Sequence, residues 1–534
     1  MPKNSETSFG YYFEMPNPGL MSYFGNVEKG QPNIYDTPFA KGESTKDLLQ
    51  GWLKELESIR DEWPSLWEFE NDLAKKVGPM SVMKPLQDRL SDIDAYYEGI
   101  LLPSEPLSHA AIAAVVSEWR NFRGLRVRNQ NDTLSKMKLS TNSGSPYFRK
   151  RRVVIKDTVP CAVYISGQHV TQVLGGHADI WQACAVLGWR GQEGGPLPTD
   201  VKQRVVWMFP FAVNIRELQV YQPLIEVAQR GNLVPAWVSM DSVDDEITKL
   251  FDSKGDKDLI VCTDFTKFDQ HFNPDMQDAA KAILQGILSP SASSRDWLDE
   301  VFPIKYMIPL AYDKYKIRYG KHGMGSGSGG TNADETLAHR ALQYEAAQSV
   351  GARLNPHSMC LGDDGILSYP GITVDDVVNA YTRHGLEMNQ DKQYASTQDC
   401  VYLRRWHHKN YRINGVCAGV YATTRALGRL RYLERFMDPR NGWGPKMVAL
   451  RQLSIIENVK YHPMRTQFVD YCMKRDKFRL GLDIPGFLDN IEAEAKKAID
   501  SMPDFLGYTK TLQNAGDDTG GIADWWIVKY LKSM

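Results

Sequence analysis

Between residues 259 and 385, short apolar runs alternate with longer amphipathic ones, and this rhythm restricts the fold more than any other feature. LIVCT (259–263) has strand length. NPDMQDAAKAILQGIL follows, with Asn273 placed to cap a helix and Pro274 at its first position. IKYMIPLAY and YKIRYG read as paired strands, and TNADETLAHRALQYEAAQSVG as a long helix ending before Gly351. HSMCLGDDGILSYPG is a strand, a tight acidic turn and a strand, and TVDDVVNAYTRHG is a further amphipathic helix closed by Gly385. Hairpin strands separated by helices predict an α+β fold, an antiparallel sheet backed by helices.

The flanks differ. Residues 1–45 are rich in Gly, Pro, Asn and Ser, but Tyr11, Tyr12, Phe13, Tyr23 and Phe24 suit a strap lying on the protein. DLLQGWLKELESI and HAAIAAVVSEWRNF carry helical spacing, and the chain beyond 420 reads as mostly helical with an Arg-rich start. At 534 residues the chain exceeds one small domain. Its 63 Lys and Arg against 65 Asp and Glu give no global nucleic-acid signal, so only local patches can carry one. Seven scattered Cys without a C-x-x-C pair argue against a disulfide framework. With no membrane-length apolar run and no apolar signal core at the N-terminus, a soluble intracellular protein is expected.

Four groups of residues can carry chemistry. Asp363 and Asp364 sit between apolar runs in LGDDGILSY, where the Asp-Gly pair reads first as a hairpin turn. Two adjacent buried acids are costly unless a cation lies between them. Gly516-Asp517-Asp518 repeats the triplet without strands around it and is read as a loop. Asp264 falls where LIVCT ends, with Asp269 five residues on. An acid at a strand end facing a hairpin acid builds a divalent site, and all-oxygen ligands favour Mg²⁺ or Mn²⁺; the plain alternative is a turn-capping Asp. GMGSGSGGTNADE (323–335) opens a helix with backbone N–H groups able to approach a phosphate or sugar, and it is not a Walker loop because His322 follows Lys321. Basic clusters are the fourth group: Lys136 to Lys156, Lys202 with Arg204, and Arg404, Arg405, His407, His408 and Lys409. Such runs are usually solvated faces, yet several in a near-neutral chain fit a basic channel. Cys400, His407, His408 and Cys417 match no standard zinc spacing.

The order of these signals resembles the palm of viral RNA-dependent RNA polymerases: Asp-x4-Asp after a strand, S-G-x3-T opening a helix, then GDD in a hairpin. TNSGSP (141–146) resembles a template-guiding loop, KQRVVWMFPF the basic fingers motif, GLEMNQDKQYAS the lysine-bearing palm motif, and YLRRWHH the primer-grip hairpin. Among families the picobirnavirus polymerases look most similar, with partitivirus polymerases next. The resemblance implies a closed right hand: an N-terminal strap (1–45), fingers (46–250), a palm (251–410) with an inserted fingers segment at about 275–320, a helical thumb (411–513), and a hinge with an apolar tail (514–534).

It further implies two Mg²⁺ or Mn²⁺ ions on Asp264 and Asp363, with Asp364 assisting, and Lys392 as general acid. Lys202 and Arg204 would neutralise triphosphate. Ser326, Gly327 and Thr331 would shape the nucleotide pocket, and Asp269 would accept from ribose hydroxyls. Thr141, Ser143 and Gly144 would guide template, and Arg404 or Arg405 would contact primer. Glu335 stands where many such enzymes carry a sugar-reading Asn, so its partners must differ. The implied activity is RNA synthesis from NTPs on viral RNA without a primer, in the virion interior and host cytoplasm, with capsid protein a candidate partner and no membrane. The apolar tail is expected to fold toward the product channel. A catalytically silent RNA-binding structural protein and a metal-dependent nuclease are the rivals. The intact acids and Lys392 speak against the first, and the Gly-Ser loop with the triphosphate-facing cations against the second.

Overall fold

The protein is described here from a computed structural model covering residues 9–14, 17–176, 179–502 and 521–534. At its centre β7 (Ile260–Thr263) lies in a four-stranded sheet, antiparallel throughout, with β10 (Met359–Leu361), β11 (Asp364–Leu367) and β12 (Tyr394–Ser396) in the order β10-β11-β7-β12. All four residues of β7 are buried because both faces of the sheet are covered. Successive side chains point to opposite faces, so Val261 joins a core with the helices Pro274–Ile287 and Thr331–Ser349. Ile260 and Cys262 join another with the helix Met240–Ser253.

A second four-stranded sheet, in the order β6-β5-β8-β9, combines β5 (Ala185–Gln192) and β6 (Lys202–Met208) with β8 (Leu310–Asp313) and β9 (Lys316–Arg318). IKYMIPLAY becomes a strand only at Leu310. Phe302–Tyr306 is instead a 3-10 turn that carries Lys305 into a fully buried pair with Asp334, 3.0 Å away. A three-stranded sheet of β13 (Asp399–Tyr402), β14 (Arg405–His408) and β15 (Val420–Tyr421) follows the central one.

Of the N-terminal aromatics, Phe9, Tyr12 and Phe13 pack with Cys184, Val186 and Ala311, and Tyr12 hydrogen-bonds Tyr319 at 2.6 Å, whereas Tyr11 is exposed. The chain then pairs β1 (Tyr35–Asp36) with β16 (Tyr432–Leu433). The expected boundary at 46 does not match the packing. Helices Thr45–Leu56 and Pro64–Ala74 belong to the C-terminal core through Leu48, Trp52, Leu66 and Phe69 against Leu427, Leu430 and Leu450. Trp52 Nε1 donates to Thr423 Oγ1 at 2.7 Å, and buried Glu70 accepts from Thr423. An amphipathic helix buries its stripe wherever a matching one is free, and nothing local names the partner.

The tail also departs from expectation. The helix Trp526–Lys532 covers the C-terminal core with Ile527, Val528 and Leu531, and Glu457 accepts the Trp526 and Ile527 N–H groups at 3.1 and 2.9 Å. The second GDD lies outside the described residues. Among the described residues no helix is long and apolar enough to cross a membrane.

Candidate active site

β7 delivers Asp264 at its end, and the β10–β11 hairpin delivers Asp363 beside it. The two-residue turn is Gly362-Asp363, not the Asp364-Gly365 pair expected from sequence. Gly362 takes φ +59°, a conformation open to glycine at little cost, which leaves Asp363 at the tip. Both acids line a cavity of about 700 Å³. Burial and the neighbouring Asp363 push the Asp264 carboxyl upward, while Lys392, Lys202 and Lys76 oppose the rise. Asp364 begins β11, and its Oδ2 accepts the Leu403 N–H at 2.8 Å. Burial pushes Asp364 up to about 7 against that hydrogen bond. Gln393, which sequence reasoning passed over, clamps the Asp264 backbone: it accepts the N–H at 2.7 Å and donates to the C=O at 2.8 Å.

Cations form the opposite wall. Lys202 and Arg204 face the cavity from β6, joined by Lys76 from the turn after the helix Pro64–Ala74. Lys76 had no local signal, since only the packing of the N-terminal helices carries it there. Burial lowers the Lys202 pKa, and Arg204, Arg404 and Lys76 lower it further. The β13–β14 turn consists of Leu403 and Arg404, both at positive φ (52° and 59°), an unusual posture for non-glycine residues. It points Arg404 into the cavity, where burial and Arg425 lower its pKa to about 10. Arg405 does not share this role. Its guanidinium meets buried Asp244 at 2.8 and 3.1 Å and Gly419 O at 3.2 Å, an internal ion pair turned away from the cavity. Glu193, also missed, bridges toward Arg425 and Arg429 at 3.2 and 3.9 Å.

The Gly-Ser loop is packed rather than free. A Cβ on Gly327 would lie 1.5 Å from Trp207 O, so only glycine lets the loop touch β6. Ser326 Oγ donates to Val205 O at 3.3 Å and Thr331 Oγ1 to Gly325 O at 3.2 Å. The loop N–H expected to face a phosphate instead faces a protein carboxylate: Gly329 N–H donates to Glu217 Oε1 at 3.1 Å. Asp269 and Glu335 hydrogen-bond each other, and burial pushes both carboxyls upward, Glu335 well above its usual range. Glu335 therefore takes a carboxyl partner where an Asn would take an amide-compatible one.

In the 141–146 loop, Ser143 Oγ accepts the Arg149 N–H at 3.1 Å and Gly144 N–H donates to Asn142 Oδ1 at 2.8 Å. Both residues are buried, and Thr141 is the one of the three open to solvent. The imagined zinc set is absent: His407 Nδ1 bonds Cys417 O at 3.0 Å, and no metal-ready cluster of three His, Cys, Asp or Glu exists among the described residues. Asp264 and Asp363 do fit a hard divalent cation. Both are oxygen donors, the neighbouring Asp363 helps push the Asp264 carboxyl upward, and Mg²⁺ normally completes its shell with water and substrate oxygens.

Comparison with known proteins agrees with this geometry. The family model of viral RNA-dependent RNA polymerases matches residues 30–470. A potential RNA-dependent RNA polymerase of human picobirnavirus (strain Human/Thailand/Hy005102/-) is 62% identical over 526 residues, 98% of each chain. The crystal structure of a human picobirnavirus RNA-dependent RNA polymerase superposes with a TM-score of 0.94 at 60% identity, covering 100% of this chain and 99% of that one. Its insertion-loop deletion mutant gives 0.92 at 58%, with the same coverage. The fold is the right hand of these enzymes, whose family works with divalent metal ions, RNA template and NTPs. With strand-end and hairpin acids facing a cationic wall, and with this likeness over nearly its whole length, the chain belongs to the viral RNA-dependent RNA polymerases.

Proposed function

We propose that the chain copies viral RNA by two-metal nucleotidyl transfer and starts without a primer. The observation that carries this reading is the meeting of Asp264 and Asp363 in one cavity with Lys202, Arg204 and Arg404, with Lys392 near enough to lower the Asp264 pKa. Asp264 and Asp363 would hold two Mg²⁺ or Mn²⁺ ions, with Asp364 steadying the hairpin rather than ligating directly. Bound there, such ions supply Lewis acidity to the attacking 3′-oxygen and the leaving pyrophosphate. Lys202 and Arg204 neutralise the triphosphate, and Lys392 protonates the departing pyrophosphate. Asp269 accepts from the ribose, held by Glu335. Arg404 meets the RNA backbone, and Thr141 is the template-facing member of its loop, which buried Ser143 and Gly144 shape.

Unprimed initiation is the reading carried by the family resemblance. Lys76, Lys202, Arg204 and Arg404 line the cavity with no ion-pair partner among the described residues, which leaves their charge free to meet phosphate. The tail described at 521–534 plays no part, since it packs on the C-terminal core. We keep the division into fingers (46–250) and palm (251–410) as part of this proposal, except that helices 45–56 and 64–74, which share a core with the C-terminal region, are assigned to the thumb. Family membership supports work beside the genome in the virion interior and host cytoplasm, with capsid protein as partner. The test is RNA synthesis on single-stranded RNA with NTPs and Mg²⁺, unprimed, beside Asp363→Ala. Full-length complement from the wild type alone is expected, and product only when a primer is added would overturn the initiation reading.

A further inference from the structure

Among the fully buried acids outside the proposed mechanism, Glu217 stands apart because it meets the Gly-Ser loop. Glu217 sits in the helix Phe211–Gly231, which follows directly from β6, and is 0% exposed. Its Oε1 accepts the Gly329 N–H at 3.1 Å and the Asn214 side-chain amide at 3.1 Å, and its Oε2 accepts the Ser328 hydroxyl. Asn214, one turn earlier, also reaches Gly327 O at 3.4 Å, and its own carbonyl accepts from Arg151 at 2.8 Å. Ser328 Oγ in turn accepts the Gly330 N–H at 3.0 Å. On the other side the loop touches β6 at Gly327, where even a methyl group would collide with Trp207 O. Burying an acid is costly unless its oxygens are satisfied, and here two of the three hydrogen bonds come from the Gly-Ser loop and the third from Asn214.

We propose that Glu217, supported by Asn214, is the positioning residue that holds the Gly-Ser loop against β6 and so sets nucleotide selection. The inference rests on the reading of that loop as the wall of the nucleotide pocket. The loop is rich in glycine and would sample many shapes if left alone. Glu217 grips the loop at Ser328 and Gly329, immediately before the helix Thr331–Ser349 begins at its N-cap Gly330. The loop is thereby shaped before substrate arrives, and binding free energy goes to recognising the correct nucleotide rather than to ordering the loop.

The experiment is single-nucleotide incorporation by the full-length chain on a primed template, with KM, kcat, mismatch discrimination, RNA affinity and melting temperature read together. Glu217→Ala is expected to raise the NTP KM about tenfold and to lower discrimination by a similar factor, with RNA affinity unchanged. Glu217→Gln keeps an acceptor for Gly329 and offers a donor to Ser328 Oγ, so it should recover most of both. Ser328→Ala is the milder variant should Glu217→Ala fail to fold, and the two together should be less than additive. A lowered melting temperature or kcat with unchanged KM and discrimination would overturn the proposal, as would additive effects. Ser326→Ala separates the layers. If it raises KM while Glu217→Ala does not, the anchor fails alone. If neither moves KM, the pocket reading falls and the proposal with it.

Discussion

Arg404 and Arg405 are neighbours of identical chemistry, and the structure gives them opposite consequences. Replacing Arg405 by Ala removes two hydrogen bonds to Asp244, a carboxylate 2% exposed beneath the β14–β15 edge. Among the described residues, Arg405 and His407 are the only basic side chains within 4 Å of the Asp244 carboxylate. His407 Nδ1 is 3.8 Å from Asp244 but is directed at Cys417 O, and burial lowers its pKa to about 4. Breaking one side of a buried pair costs about 3–5 kcal/mol because the remaining charge is stranded. In a chain of this size that should lower the melting temperature by about 3–4 °C. Arg404→Ala removes a cation with no ion-pair partner, so stability should hold while RNA synthesis and RNA affinity fall. The assay is a thermal melt alongside RNA binding at two salt concentrations. Asp244→Leu with Arg405→Met should recover much of the loss, because a well-packed apolar pair is not penalised for stranded charge. The reasoning is refuted if Arg405→Ala melts within about 1 °C of wild type, or if it weakens RNA binding as much as Arg404→Ala does.

The remaining consequences are also measurable. His384 and Glu345 form a buried pair, and Glu345 Oε1 also accepts the Ser108 N–H at 2.7 Å. Burial acts against both charges, but the pairing prevails and leaves His384 above its ordinary 6.5 and Glu345 below its ordinary 4.5. Histidine's contribution is therefore complete below pH 6.5 and is lost as pH rises through its folded pKa. The carboxylate's contribution is complete above pH 4.5 and is lost as pH falls through its folded pKa. Subtracting the stability–pH profile of Glu345→Gln from that of wild type should show a maximum between those values, and a flat difference would remove the pair from consideration. Glu335→Leu should reduce preference for NTP over dNTP severalfold by removing the carboxyl contact with Asp269, while Glu335→Gln, which can still donate to Asp269, should lose less; an unchanged incorporation ratio in both would make Glu335 structural. Deleting 521–534 should destabilise the C-terminal core by roughly 5 kcal/mol, as four buried aliphatic side chains are lost. A selective loss of initiation in a protein of normal stability would restore the tail as a product-channel element.

Much of this protein could be read along the chain because the relevant physics is local. The alternation from 259 to 385 placed β7, β10 and β11 and the helices between them, and Asn273 and Pro274 start their helix as expected. Asp264 at a strand end and Asp363 at a hairpin tip were legible for the same reason: a few neighbouring residues decide strand termini and turns. The two-residue shift of the hairpin turn came from two competing glycines, Gly362 and Gly365. Pairing of Leu361 with Asp364 across the sheet settled it.

Other features depend on residues far apart in the chain. Gln393 grips Asp264 across 129 positions, Glu217 holds Gly329 across 112, and Asp244 takes Arg405 across 161. None has a spacing pattern, because a buried polar side chain answers to whatever the fold brings opposite it. The same holds for helices 45–56 and 64–74, whose apolar stripes were plain but whose partner on the far side of the sequence was not. Sequence alone determined the elements, the acidic pair and the family likeness. Tertiary structure decided which of two adjacent arginines faces the cavity, what holds the loop and where the tail rests, since burial and pairing exist only once distant segments meet.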